Sequence, residues 1–181
     1  LRLAGLATAV SAIVCYPAAL ALIRTRAPWR GLLTGLVILP LMVSPIARTY
    51  SWIVLLGRNG LVNAGLVGAG VIDEPMKLLF TEAAVFVGLL QLMMPLMLVS
   101  LVSALENLNP DVIDAARTLG AGRFATFFKV IVPLTQEGFV IGGTLVFTGC
   151  VTAFITPATL GGPKMLMLET LLYQKVNVAN D

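Results

Sequence analysis

Four stretches of this chain are apolar for roughly the length of a bilayer crossing, and that constrains the fold more than any motif in it. A helix needs about 20 mostly apolar residues to cross the hydrocarbon. The runs are Leu3 to Ile23, Gly31 to Ala47 with a further piece from Trp52 to Leu56, Ala83 to Leu105, and Gly138 to Pro157. Hydrocarbon offers backbone N–H and C=O groups no water, so each run must satisfy them internally as a helix. The predicted fold class is an all-α, polytopic transmembrane helical bundle. Composition agrees: over 181 residues, 58% are hydrophobic and only 12% charged, against about 25% charged in soluble domains.

The first run has no basic n-region before it and no small-residue cleavage pattern after it, which argues against a signal peptide. It begins directly at Leu1, and the chain stops at Asp181 in a polar stretch. The expectation is a single transmembrane domain over residues 1–181, truncated at both ends.

Histidine is absent, which excludes His-based triads and zinc sites. Cys15 and Cys150 each lie inside an apolar run with no partner nearby in sequence, the pattern of buried packing residues. The net charge of +3 comes from 12 Lys and Arg against 9 acids. No run of like charge points to a nucleic-acid partner.

Three arginines fall between Arg24 and Arg30, and the positive-inside rule makes that short loop cytoplasmic. Alternation then puts residues 48–82 outside, 106–133 inside and 157 onward outside. All the Lys and Arg counted together divide six against six and decide nothing. Pro40 and Pro45 break the regularity of the second run, because each removes a backbone donor. Arg48, Tyr50 and Trp52 follow directly, as expected of an outer interface where amphipathic aromatics settle. Gly57 to Gly70 reads as an external loop. Its glycines follow no strand, so they form no dinucleotide fingerprint, and no Walker-type Gly-x4-Gly-Lys-Ser/Thr sequence occurs. Gly31 with Gly35, and Gly138 with Gly142, are small residues four apart that would let helices approach closely.

The internal segment 106–133 carries the densest local signal. Asn109 can cap a helix, Pro110 suits its first position and Asp111 the positive end of its dipole. The helix should run to Leu119 and stop at Gly120 in a left-handed conformation. In a second helix, Phe124, Phe127, Phe128 and Ile131 fall at the spacing of one apolar stripe. Together they predict two short helices forming a cytoplasmic knob.

Asp114-Ala115-Ala116-x3-Gly120, then nine residues, then Val130-x-Val132-Pro133 resembles the EAA signature of permease subunits of binding-protein-dependent ABC importers. Asp114 stands where that family usually has glutamate, and Val130 and Val132 where isoleucine and leucine are usual. Arg48 to Arg58 and Phe154 to Gly162 are similar to stretches of its spermidine/putrescine branch. The likeness covers nearly all of the chain, and the four runs correspond to the second through fifth of six typical spans.

The resemblance implies a non-enzymatic permease subunit of the bacterial inner membrane, with no cofactor of its own. ATP and Mg would be bound by a separate ABC ATPase dimer. The other implied partners are a second permease subunit, an external solute-binding protein and membrane lipid. Asp114, Ala115, Ala116, Gly120, Val130 and Pro133 are the candidate coupling residues. Pro40, Pro45, Tyr50, Trp52, Phe154, Thr156 and Pro157 are the candidates for the solute path, with aromatic faces suited to a cation. Two other classes compete. A secondary transporter or channel would draw on Glu82, Glu106 or Glu137, although no acid lies mid-span and Gln91 there reads as a packing group. A membrane enzyme lacks any nucleophile and base pairing.

Overall fold

The computed structural model of the chain describes residues 1–153 and 155–161. Every regular element among them is helical. They are α1 (Arg2–Arg24), α2 (Ala27–Met42), α3 (Pro45–Leu56), α4 (Leu61–Gly68), α5 (Glu82–Glu106), α6 (Pro110–Thr118), α7 (Arg123–Thr126), a π-helical segment (Phe127–Ile131), α8 (Val132–Leu134), α9 (Gln136–Val151) and α10 (Ile155–Leu160). The chain is a membrane-spanning helical bundle. α1 and α5 are long and apolar enough to cross alone, and two bent pairs, 28–42 with 45–68 and 123–134 with 136–151, bring the possible crossings to four.

α1, α5 and α9 form the packed centre. Leu89, Met97, Leu101, Val146, Cys15 and Cys150 are all fully buried there. α9 runs antiparallel along α5, and its glycines set the separation. A Cβ at Gly138 would lie 2.4 Å from the Ala104 Cβ and 2.7 Å from the Ser100 carbonyl, and one at Gly142 would lie 2.8 Å from the Met97 sulfur. Glycine is used here for close approach, as lipid-embedded helices require. Gly31 and Gly35 behave otherwise: a Cβ at either meets nothing within 4 Å. Their packing role, expected from spacing alone, is absent among the described residues, where no helix faces that side of α2.

The prolines decide the breaks. A helix continued through Pro45 would drive its ring into the Leu41 carbonyl and push Ser44 out of the helical region. Val43 and Ser44 are accordingly extended, with ψ of 135° and 131°, and the halves bend by 94°. The fourth run also divides. Pro157 would oppose the Ala153 carbonyl in a continuous helix, and α9 ends at Val151, α10 restarting at Ile155. Pro157 thus occupies the first turn of α10, where its missing donor costs nothing.

Two loops are smaller than expected. Pro28 starts α2 early, so only Thr25 and Arg26 separate it from α1. Arg30 then lies in the first turn of α2, paired with Glu106 at the end of α5. The stretch Gly57 to Gly70 is no simple loop but contains α4. Asn63 holds it: this fully buried side chain donates to the carbonyls of Gly57 and Met76 and accepts from the Met76 N–H, all at 3.0 Å. At the same end the Phe80 N–H reaches the Leu160 carbonyl at 3.0 Å. The Arg30–Glu106 pair and this contact mark the two opposite ends of the bundle, in agreement with the alternation of spans.

Candidate functional site

The knob begins as its sequence dictates. The Asn109 Oδ1 accepts from the Asp111 N–H at 2.9 Å, and Pro110 opens α6. Its end is a complete left-handed stop: Gly120 has φ +83°, the Ala121 N–H reaches the Ala116 carbonyl at 3.0 Å and the Gly120 N–H the Arg117 carbonyl at 2.9 Å. Only a residue tolerant of positive φ closes a helix this way. α6 has no buried side chain. Asp114 and Ala115 are exposed and Ala116 half-buried. Asp114 is engaged by Arg117 at 3.4 Å, one turn along the same helix. Ile113 is the α6 side chain that rests on the core, and the capped helix leaves most of its remaining surface exposed.

α6 meets the bundle across a cleft of about 300 Å³ lined by Ile23, Arg24, Leu105, Ile113, Asp114 and Ile131. Val130 is half-buried in the π segment and Pro133 is exposed in α8, so both belong to the link between knob and α9. The expected phenylalanine stripe splits. Phe127 packs edge-on to Tyr16, with centroids 5.4 Å apart, and Ile131 is buried, whereas Phe124 and Phe128 are 83% and 64% exposed. A π turn contributes, in which the Val132 N–H bonds back to the Phe127 carbonyl, five residues away. One extra residue per turn rotates what precedes it by about 100°. Thr135 marks the 64° bend into α9, its hydroxyl shared between the Ile131 carbonyl and Tyr16.

The second candidate region is the break between α2 and α3. Two adjoining cavities, of about 470 and 300 Å³, share Pro40, Trp52 and Gln91 in their walls. Trp52 Nε1 donates to Gln91 Oε1 at 3.5 Å, and Arg48 Nη1 donates to the Pro40 carbonyl at 3.0 Å. Arg48 therefore bridges the bend and places its charge at the negative end of α2. The larger cavity is otherwise apolar, with Val37, Leu90 and Met94 among its walls.

Of the candidate path residues, the structure brings Pro40 and Trp52 together. Pro45 is exposed at the start of α3. Tyr50 lies two positions before Trp52, about 200° around a helix, and is 64% exposed on the other face. Thr156 and Pro157 are buried. Thr156 and Leu160 press on Gly88, where a Cβ would come within 2.8 Å of each, so α10 packs against α5 rather than lining either cavity. Phe154 lies outside the described residues. Sequence reasoning assigned Gln91 to packing and Arg48 to the interface, and missed that both wall the same cleft. Gln91, an amide side chain in mid-span, was the available signal.

Residues 12–180 match the family described as binding-protein-dependent transport system inner membrane component. The chain belongs to that family. Membership and the spanning helices make it a multi-pass component of the bacterial inner membrane. It is 37% identical over 172 residues to the spermidine/putrescine transport system permease protein PotB of Haemophilus influenzae, covering 95% of this chain and 60% of that protein. The Escherichia coli PotB is 34% identical, with 95% and 62% covered. The molybdenum transport system permease protein ModB of Azotobacter vinelandii is 31% identical, with 90% and 70% covered. The chain thus spans about three fifths of the length of the two PotB relatives. Within this family the ion-coupled alternative has no support, and Glu106, one of its three acids, is held by Arg30.

Proposed function

We propose that this permease lines the membrane path of an ATP-driven importer and that α6 is the helix through which an ABC ATPase dimer moves it. The observation that carries the reading is α6 itself: a doubly capped helix with no buried side chain, bearing the Asp114-Ala115-Ala116-x3-Gly120 pattern at the cytoplasmic end. Ala115 and Ala116 permit close approach of a partner surface, Gly120 fixes the bend, and the half of Asp114 not facing Arg117 is open to a basic group. ATP and Mg belong to the ATPase. A second permease subunit completes the path, and an external binding protein delivers solute to the outer end. A polyamine is the proposed solute, supported by the two PotB relatives and by the Trp52 face in the cleft. Arg48 keeps its charge in the same cleft, where it is held on the Pro40 carbonyl at the negative end of α2.

The experiment is uptake of labelled putrescine and spermidine by the complete transporter in vesicles. Gly120→Val strains a backbone at φ +83° and Asp114→Lys opposes a basic partner; both should abolish uptake while the protein still inserts. Trp52→Leu should slow uptake by up to about thirtyfold, the equivalent of about 2 kcal/mol of desolvated cation–π attraction. Tyr50→Leu should leave it unchanged. Normal uptake in both knob variants removes the coupling assignment, and no polyamine uptake by the unaltered complex removes the substrate.

A further inference from the structure

We infer that the outward face of Arg123 to Leu134 is a binding surface for anionic phospholipid of the inner leaflet, with Phe124 and Phe128 set among the lipid chains and Arg123 and Lys129 on the headgroup phosphates. Depth, inclination and charge point to lipid once α1 and α9 are placed across the membrane.

Depth comes from α1. Phe127 packs on Tyr16, eight residues before α1 ends at Arg24. At a rise of 1.5 Å per residue that is about 12 Å above the cytoplasmic end of the helix. Ile131 shares a cleft with Ile23 and Arg24. The π segment is therefore lodged beside the last turns of a transmembrane helix, at the level of the inner leaflet, not suspended below it. Inclination comes from the bend: residues 123–134 turn by 64° from α9, so a segment that α9 leaves near the membrane normal runs closer to the membrane plane.

The outward face has the make-up of an interfacial helix. Phe124, Phe128 and Leu134 are 83%, 64% and 54% exposed. The Phe128 ring is held edge-on against Phe127 with centroids 4.9 Å apart, which fixes its direction before any lipid arrives. Arg123 and Lys129 are exposed, and neither makes an ion pair among the described residues. Aromatic rings flanked by free cations at this depth combine apolar insertion with attraction to anionic headgroups. The π turn widens the division, since in an uninterrupted α-helix the four apolar side chains would span only about 100°.

The test uses the full-length permease in its complete transporter, in nanodiscs, with Cys15→Ala and Cys150→Ala and a fluorophore on Phe128→Cys. Brominated phosphatidylglycerol should quench the label, and more strongly than brominated phosphatidylcholine. Adding Arg123→Gln and Lys129→Gln should remove that preference, by up to about fivefold per charge. A label shielded from both brominated lipids and crosslinking to the ATPase or the second permease subunit would assign the face to protein and overturn the inference, as would equal quenching by the two lipids with both charges intact. A label-free check guards against a misfolded cysteine variant: the charge-neutral double variant, with its phenylalanines intact, should copurify with less phosphatidylglycerol than the unaltered protein. Equal retention would also overturn the inference.

Discussion

The same small-residue spacing has opposite outcomes at two places in this molecule. Gly138 and Gly142 on α9 sit against α5 so closely that a methyl group would overlap Ala104 and Met97, while Gly31 and Gly35 on α2 face open space. The centre of α1, α5 and α9 is close-packed where Gly138, Gly142 and Gly149 meet α5. The α2 to α4 arm instead keeps its exposed side apolar, with Leu32, Leu36 and Leu39 outward, and is held by a few polar ties: Arg48 to Pro40, Trp52 to Gln91 and the Asn63 clamp. In lipid, where apolar burial drives little, close van der Waals packing secures the centre, and in the arm directional hydrogen bonds add to the contacts that Leu33, Val37, Ile53 and Leu56 make with the core.

The sharpest way to break this contrast is leucine at matched positions. Gly138→Leu must displace Ala104 and the Ser100 backbone, and should destabilise the purified full-length protein by about 3 kcal/mol. Gly35→Leu should change it by less than about 1 kcal/mol, in the stabilising direction of helix propensity. Thermal unfolding followed by fluorescence decides it: equal losses would mean that α2 is packed as tightly as α9, by a partner on its outer face.

A smaller, local effect probes the ties. Asn63→Ala leaves the Met76 N–H and two carbonyls without their partner, a cost of about 2 kcal/mol. Hydrogen exchange at the Met76 amide should accelerate roughly thirtyfold while the amides of α5 and α9 keep their protection. Uniform acceleration across the bundle would show that arm and centre unfold as one unit and dissolve the distinction.

The smallest effect sits where arm meets centre. Arg30 and Glu106 are both partly exposed, so Glu106→Gln should cost under about 1 kcal/mol. The exchanged pair Arg30→Glu with Glu106→Arg should recover part of that in a double-mutant cycle. A coupling of zero would leave the inner end of α2 without an electrostatic tie to α5.

Much of this architecture is local and therefore legible. Long apolar runs become helices because hydrocarbon leaves the backbone no other partner. Asn109, Pro110 and Gly120 set the ends of α6 through bonds within a few residues. Pro45 and Pro157 place the breaks by clashing with carbonyls four residues back. Within the candidate site, the knob was readable for the same reason, and the cleft was not. Trp52 and Tyr50 are equivalent as sequence, but only Trp52 finds Gln91, which comes 39 residues later. Asn63 looked like a loop residue until its bonds to Met76 were visible, and the phenylalanine stripe gave no sign of the π turn that divides it. The sequence alone determined that the long apolar runs are helices, where α6 starts and stops and which family the chain belongs to, since each follows from near neighbours or from pattern. Which faces meet was decided only by the tertiary structure, because a contact depends on what stands opposite, and spacing along one helix carries no record of its neighbour.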